Sequence, residues 1–205
     1  LALRALVGCA PPSGVVVDDT PTDEDDAEST AVDRSAAGAD CVVSYNLLED
    51  LAFEEIDKGG WAYSQHSGDR SFRVSSEQGE LAITRTGVEP WMLLKQKVAL
   101  PQTNPELIGT WVFSAELKGQ VETDPVLHGF EHVAGLLLQP ATSPMSAKVA
   151  EHEPNQGAWD WQRIEVTAPV LPGHKVVQGG FVHRAGGSLW ARNPSLVLME
   201  CAESD

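Results

Sequence analysis

Several groups of side chains in this 205-residue chain have types and spacings that could carry chemistry. His128 and His132 lie four residues apart around Gly129-Phe130-Glu131. On a helix that spacing puts two imidazoles on one metal, but a glycine-containing turn does not make them converge. Glu151-His152-Glu153 is a second run of metal-ligating types, and exposed loop His and Glu are ordinarily only solvated. No Gly-x-Ser-x-Gly elbow, phosphate-cradling glycine loop or dinucleotide fingerprint is present. Two carboxylates for glycoside hydrolysis could be found among the acids, yet a domain of this size has little room for a substrate-enclosing cleft. The expectation is a binding module and no enzyme.

The three cysteines divide into one and two. Leu6-Val7-Gly8-Cys9, after a short apolar stretch broken only by Arg4, resembles a bacterial lipobox. In that motif the cysteine carries a diacylglycerol, so Cys9 is the expected lipidation site and residues 1–9 the end of a lipoprotein signal. Ala10 is not the Asp that marks inner-membrane retention, which suggests a lipid-anchored protein of the bacterial cell envelope, at the outer membrane or cell surface. Cys41 and Cys201 remain, one before the first expected strand and one ending the last. If those strands lie side by side the pair can form a disulfide in an oxidising compartment. Two buried free thiols are the other reading.

Residues 10–40 read as a linker. They hold Asp18, Asp19, Asp23, Glu24, Asp25, Asp26, Glu28 and Asp33 among Pro, Thr, Ser and Ala, with no aromatic residue. Such a segment cannot bury enough apolar surface to offset its ordering entropy, so it is expected to be a disordered stalk. The formal net charge is −16, and neither the stalk nor the remainder is basic. Nucleic acid and anionic lipid headgroups are therefore poor candidate partners, and neutral or cationic ligands stay open. No apolar run reaches the length that spans a bilayer, which leaves the lipid as the membrane link.

The elements that must position any site begin at Val42. Short apolar-polar alternations separated by Gly and Pro predict eleven strands and no helix, an all-β sandwich over 41–205. The strands are expected at 42–47, 61–64, 70–76, 81–85, 91–100, 109–118, 132–139, 148–150, 161–168, 175–184 and 195–201, with turns at Gly119 and at Gly186-Gly187.

Within this frame the ordered segments Asn46-Leu47-Leu48, Phe53-Glu54, Gly60-Trp61, Gln96-Lys97-Val98, Trp111 to Gly119, Trp161-Gln162-Arg163-Ile164 and Leu189 to Asn193 resemble a CenC-type carbohydrate-binding module. The resemblance implies a jelly-roll β-sandwich, galactose-binding-like, whose concave face or loop rim holds a polysaccharide or envelope glycan. Members with a structural calcium carry an acid near Phe53-Glu54 and further acids near the end, where this chain has Arg192-Asn193. It implies Glu54 and Asn193 as the calcium positions, in a field that Arg192 weakens.

A sugar offers C–H faces and a rim of hydroxyls, so its site needs an aromatic plate flanked by amides, amines or carboxylates. Trp91 at a strand entrance is the first plate, with Lys95 and Lys97 on its face if the strand is regular. Trp159, in the turn before Trp161, is the second. Sandwich tryptophans are more often core residues than ligand plates, which is the competing reading for both, and Trp61, Trp111, Trp161 and Trp190 are expected to be core. Alternation puts Trp111, Phe113, Ala115 and Leu117 inward and Glu116 outward, and Val177 and Phe181 inward with Gln178 and Arg184 outward. Gln139 ends another strand and completes the set. The alternative to a glycan-binding lipoprotein is an envelope interaction or structural domain with no sugar site.

Overall fold

In the computed structural model, residues 41–56, 60–103, 108–122, 134–141, 150–151 and 157–202 are described. The Cys9 lipobox, the linker 10–40 and the His128, His132, His152 and Glu153 positions lie outside them. Eleven strands form: β1 (Cys41–Val43), β2 (Trp61–Gln65), β3 (Phe72–Glu77), β4 (Glu80–Arg85), β5 (Met92–Ala99), β6 (Ile108–Glu122), β7 (Ala134–Ala141), β8 (Ala150–Glu151), β9 (Gly157–Pro169), β10 (Val176–His183) and β11 (Gly186–Cys201). They make two antiparallel sheets: β3-β4-β11-β6-β9 with β1 added on β11, and β2-β5-β10-β7-β8. This is the expected sandwich, and no helix interrupts it among the described residues.

The alternation read in the sequence decides which side of each strand is buried. Trp111, Phe113, Ala115 and Leu117 of β6 face inward, as do Val177 and Phe181 of β10. Phe181 is the hub. Its ring lies 5.9 Å from Phe113 across the sandwich, 5.6 Å from Trp61 and 5.9 Å from Phe53, with offset and edge geometries that aromatic rings favour.

Three expected boundaries are corrected. Gly119 is inside β6 rather than in a turn, and β9 begins at Gly157 rather than Trp161, because the two pair as one long ladder in which Trp159 faces Gly119. Any side chain at Gly119 would collide with the Trp159 ring, 2.0 Å from an added Cβ. Gly186-Gly187 starts β11 rather than ending a loop, and β11 runs as sixteen residues with an irregularity between Arg192 and Ser195. Two tryptophans expected in the core are not there: Trp161 and Trp190 are only half-buried, on the outer face of the six-stranded sheet.

The segment after β1 is a strap that continues along β11 where β4 no longer covers its edge. Ser44 N donates to Leu198 O at 2.9 Å and Leu47 N to Leu196 O at 2.8 Å. Asn46 substitutes for backbone between them: its Oδ1 accepts from Leu48 N and Leu196 N, and its Nδ2 donates to Pro194 O. Farther on, the buried Gln96 of β5 clamps the strap from the opposite sheet, accepting from Glu49 N at 2.6 Å and donating to Glu49 O at 3.0 Å. The Cys41–Cys201 disulfide forms, at a Cα separation of 4.1 Å, and ties the strap's start to the end of β11.

His183, at the end of β10, is fully buried against Phe72, 5.6 Å between ring centroids. Its Nε2 lies 3.3 Å from Gly187 O, and Nδ1 has no partner among the described residues. Burial disfavours the charged ring and pushes its pKa down to about 4.

Two predictions follow from these contacts. Above the ordinary histidine pKa the ring is neutral in both states. As pH falls from about 6.5 to about 4 only the unfolded chain binds a proton at this site, so the domain loses about 3 kcal/mol there. Urea titrations at pH 7 and pH 4 should show this loss in the wild type, and His183→Leu should show about 3 kcal/mol less; equal losses would refute the assignment. Reducing the disulfide, which closes a loop of 160 residues, should lower unfolding free energy by about 5 kcal/mol in the chain-entropy limit. Calorimetry with and without dithiothreitol measures it, with Cys41→Ser/Cys201→Ser as the control insensitive to reductant.

Candidate functional site

The inward burial of Trp61, Leu94, Gln96, Phe181, Leu136 and Leu138 turns the residues between them to the outer face of the five-stranded sheet. The register then sets their neighbours. Gln178 stands between Lys97 and Gln139, and Gly180 between Lys95 and Leu137. Val182 stands between Leu93 and Gly135, and His183 pairs with Met92, so Arg184 and Trp91 follow at the same end. Three expected contact residues, Lys95, Gln139 and Gln178, thus share one face, and Trp91 and Arg184 lie just beyond the ends of β5 and β10. From Trp91 to Lys97 the chain extends about 20 Å.

The face is uneven. Lys97 is exposed and Lys95, Gln139 and Gln178 are half-buried, while Leu137 and Val182 point away from the core and are nonetheless shielded from solvent. Its outward positions on β2, β5, β10 and β7 include no acidic residue. In a chain with a net charge of −16, Lys95 and Lys97 are the charged residues at the outward positions of those four strands.

Trp91 is half-buried and held from the side. His66, one residue beyond β2, meets it edge-on at 6.4 Å. His66 Nδ1 lies 3.3 Å from Glu89 Oε2, which also accepts from Ser67 N at 2.9 Å. The adjoining turn is fixed by Gln65, whose Nε2 donates to Ser67 O, Gly68 O and Asp69 O while Oε1 accepts from Ser71 N. A plate mounted on so bonded a turn needs little ordering when a ligand lands on it.

Glu116 and Trp159 belong elsewhere. Glu116 is on the outer face of the six-stranded sheet, the opposite side of the sandwich, in a ladder of charges that crosses five strands: Glu77, Glu80, Arg192, Glu116 and Arg163. Arg192 Nε donates to Glu116 Oε2 at 2.5 Å and Nη1 to Glu80 Oε1 at 3.3 Å. The first of these bonds holds the Glu116 carboxyl below its ordinary pKa and raises that of the guanidinium. Glu116 is therefore committed within the protein. Trp159 is in strand β9 rather than a turn, packed against the core over Gly119. An extra residue in β9 opposite Lys118 reverses the alternation there, so Trp159 packs inward while Trp161 turns outward under the Arg192 guanidinium, 4.2 Å from its ring.

Glu54 lies in the strap and Asn193 in β11 at the irregularity between Arg192 and Ser195. Glu54 has its backbone N held by Asp50 Oδ1 at 2.7 Å. Among the described residues no group of three or more His, Cys, Asp and Glu side chains is arranged to hold a metal ion.

Sequence reasoning missed Trp190. It lies mid-strand on β11, outward between the inward Leu189 and Ala191, and the alternation Leu-Trp-Ala was the signal that could have found it. The assumption that a strand tryptophan belongs to the core hid it.

No family model and no curated protein matches this chain. Solved structures share its architecture. The enzymatically active domain of tailspike protein 4 from bacteriophage CBA120 superposes with a TM-score of 0.56 at 13% identity over 74% of this chain, which spans only 21% of that one. A family 61 carbohydrate-binding module solved with β-1,4-galactotriose gives 0.44 at 19% identity, over 75% of this chain and 98% of the module. A family 16 carbohydrate-binding module gives 0.44 at 16% identity, over 73% and 97%. At these identities the likeness to the tailspike domain is one of fold: this chain is a β-sandwich of the same general build.

Proposed function

We propose that the domain is a non-catalytic glycan-binding module and that the outer face of the five-stranded sheet is its contact surface. The observation that carries this reading is the gathering of Lys95, Gln139 and Gln178 on that one face, with Trp91 and Arg184 just beyond the strand ends. Trp91 supplies an indole for the C–H side of a sugar ring. Gln178 and Gln139, adjacent in register, can each donate to and accept from hydroxyls, and Lys95 and Lys97 donate. With no acid on the outward positions of these four strands, the face suits glycans that bear carboxylates as well as neutral ones. The CenC-type resemblance of the ordered sequence segments supports the same class of ligand.

The proposal extends to the anchor. A lipid on Cys9 would tether the domain to the cell envelope, outer membrane or surface, with the acidic residues 10–40 as spacer.

Glycan-array binding should fall by about tenfold in Trp91→Ala, the loss of one stacking contact, and by a few-fold in Gln178→Ala. An array silent for the wild type would favour an envelope interaction domain instead. For the anchor, metabolic labelling with an alkyne fatty acid should tag the wild type in a bacterial host and spare Cys9→Ser; equal labelling of both would sink that assignment.

A further inference from the structure

We infer that the outer face of the six-stranded sheet carries a second glycan site, centred on Trp190 and suited to an amine-bearing sugar, so that one domain engages two glycan segments from opposite sides. The class of ligand rests on the glycan-binding reading above; the position and preference of this second site do not.

Trp190 stands alone as an available aromatic on this face among the described residues. Trp161, the other outward tryptophan, is already covered by Arg192. Across the strands from Trp190, Ala82 and then Ser75 are the neighbours on one side, too small to cover an indole. On the other side Lys118 is the register partner, and its Nζ is 6.0 Å from the ring centroid, at the outer limit of a cation–π contact. Half-buried Trp190 therefore keeps open space on both flanks. A cleft of about 400 Å³ lies toward Glu77, Gln78 and Glu80, and one of about 370 Å³ toward Lys118, Gln120, Asp160 and Trp159. One indole forms the wall between two clefts, as a plate would on which successive rings of a chain rest.

The polar rim sets the preference. Glu77 and Glu80 are directly opposite across the β3–β4 hairpin, an arrangement of like charges that disfavours the pair unless a cation compensates it. Arg192 meets Glu80 at 3.3 Å. A protonated amine on a sugar stacked against Trp190 would complete the compensation at Glu77, with the indole contributing its negative face. The rim is also rigid: Gln78 and Gly79, at φ 53° and 78°, form the tight two-residue turn between the acids. The lysine-bearing face on the other sheet has the opposite preference, so two chemically different glycan segments can be held at once.

Isothermal titration of the full chain with chitosan hexamer, its N-acetylated counterpart and a galacturonate hexamer tests this. The chitosan hexamer should bind at least tenfold more tightly than the N-acetylated one. That binding should weaken about tenfold in Trp190→Ala and in Glu77→Lys, whose exposed position leaves the core untouched, and should persist in Trp91→Ala. Chitosan binding that is unchanged in Glu77→Lys, or absent in the wild type, overturns the inference. Galacturonate binding lost in Trp91→Ala and retained in Trp190→Ala keeps the first site standing whatever becomes of the second. Failure of the galacturonate and neutral hexamers alike, with chitosan binding intact, would sink only the first.

Discussion

Burying Phe181 between the sheets is the constraint from which the rest follows. Its ring touches Phe113 of the facing sheet, Trp61 of its own sheet and Phe53 of the strap, so it cannot turn outward without dismantling all three contacts. Because side chains alternate along a strand, that choice sends Gln178, Gly180 and Val182 to the other side, and a slip of one residue would exchange the two sets. The pairing of β10 with β5 and β7 then carries the choice across the sheet to Lys95, Lys97 and Gln139. Core packing thus specifies the polar face that it does not itself touch.

The strap makes the same link along a second route. Gln96 is buried on β5 between outward Lys95 and Lys97, and its amide is bonded both ways to Glu49. A buried amide left without partners costs about 1–3 kcal/mol, which gives the clamp its hold on both the strap and β5. Asn46 does the corresponding work on β11, and the disulfide closes the other end. The N-terminal segment of the folded part is in this way bound to both sheets before the chain turns into β2.

The two outer faces handle charge differently. On the six-stranded sheet, acids and bases meet across β4, β11, β6 and β9, where Arg192 satisfies two carboxylates and covers Trp161 at once. Most of that face is closed on itself, and Trp190 with its clefts is the part left open. The five-stranded face has lysines, amides and solvent-shielded apolar residues, with no acids at the outward positions of β2, β5, β10 and β7. Segregating the charges this way lowers the repulsion of anions at those outward positions of an acidic protein.

Alternation and turn residues were enough to give the strand count, the sandwich, the inward faces of β6 and β10, and the sharing of one face by Lys95 and Lys97, because a period of two is a local property of the chain. Pairing was not local. Whether Gln139 meets Gln178, or Glu116 meets Arg192 from the far side of the molecule, depends on strand order, and the seven expected contact residues divided between two sheets for that reason. The extra residue in β9 put Trp159 and Trp161, which regular alternation would set on one face, on opposite faces, and the expected turn at Gly119 became the middle of a ladder in which the Trp159 ring fills the place of a side chain. Composition and periodicity by themselves determined that this chain becomes a two-sheet sandwich with polar outer faces. Tertiary structure alone decided which tryptophan remains open, since an indole is available only when its cross-strand neighbours are too small, or too far, to cover it.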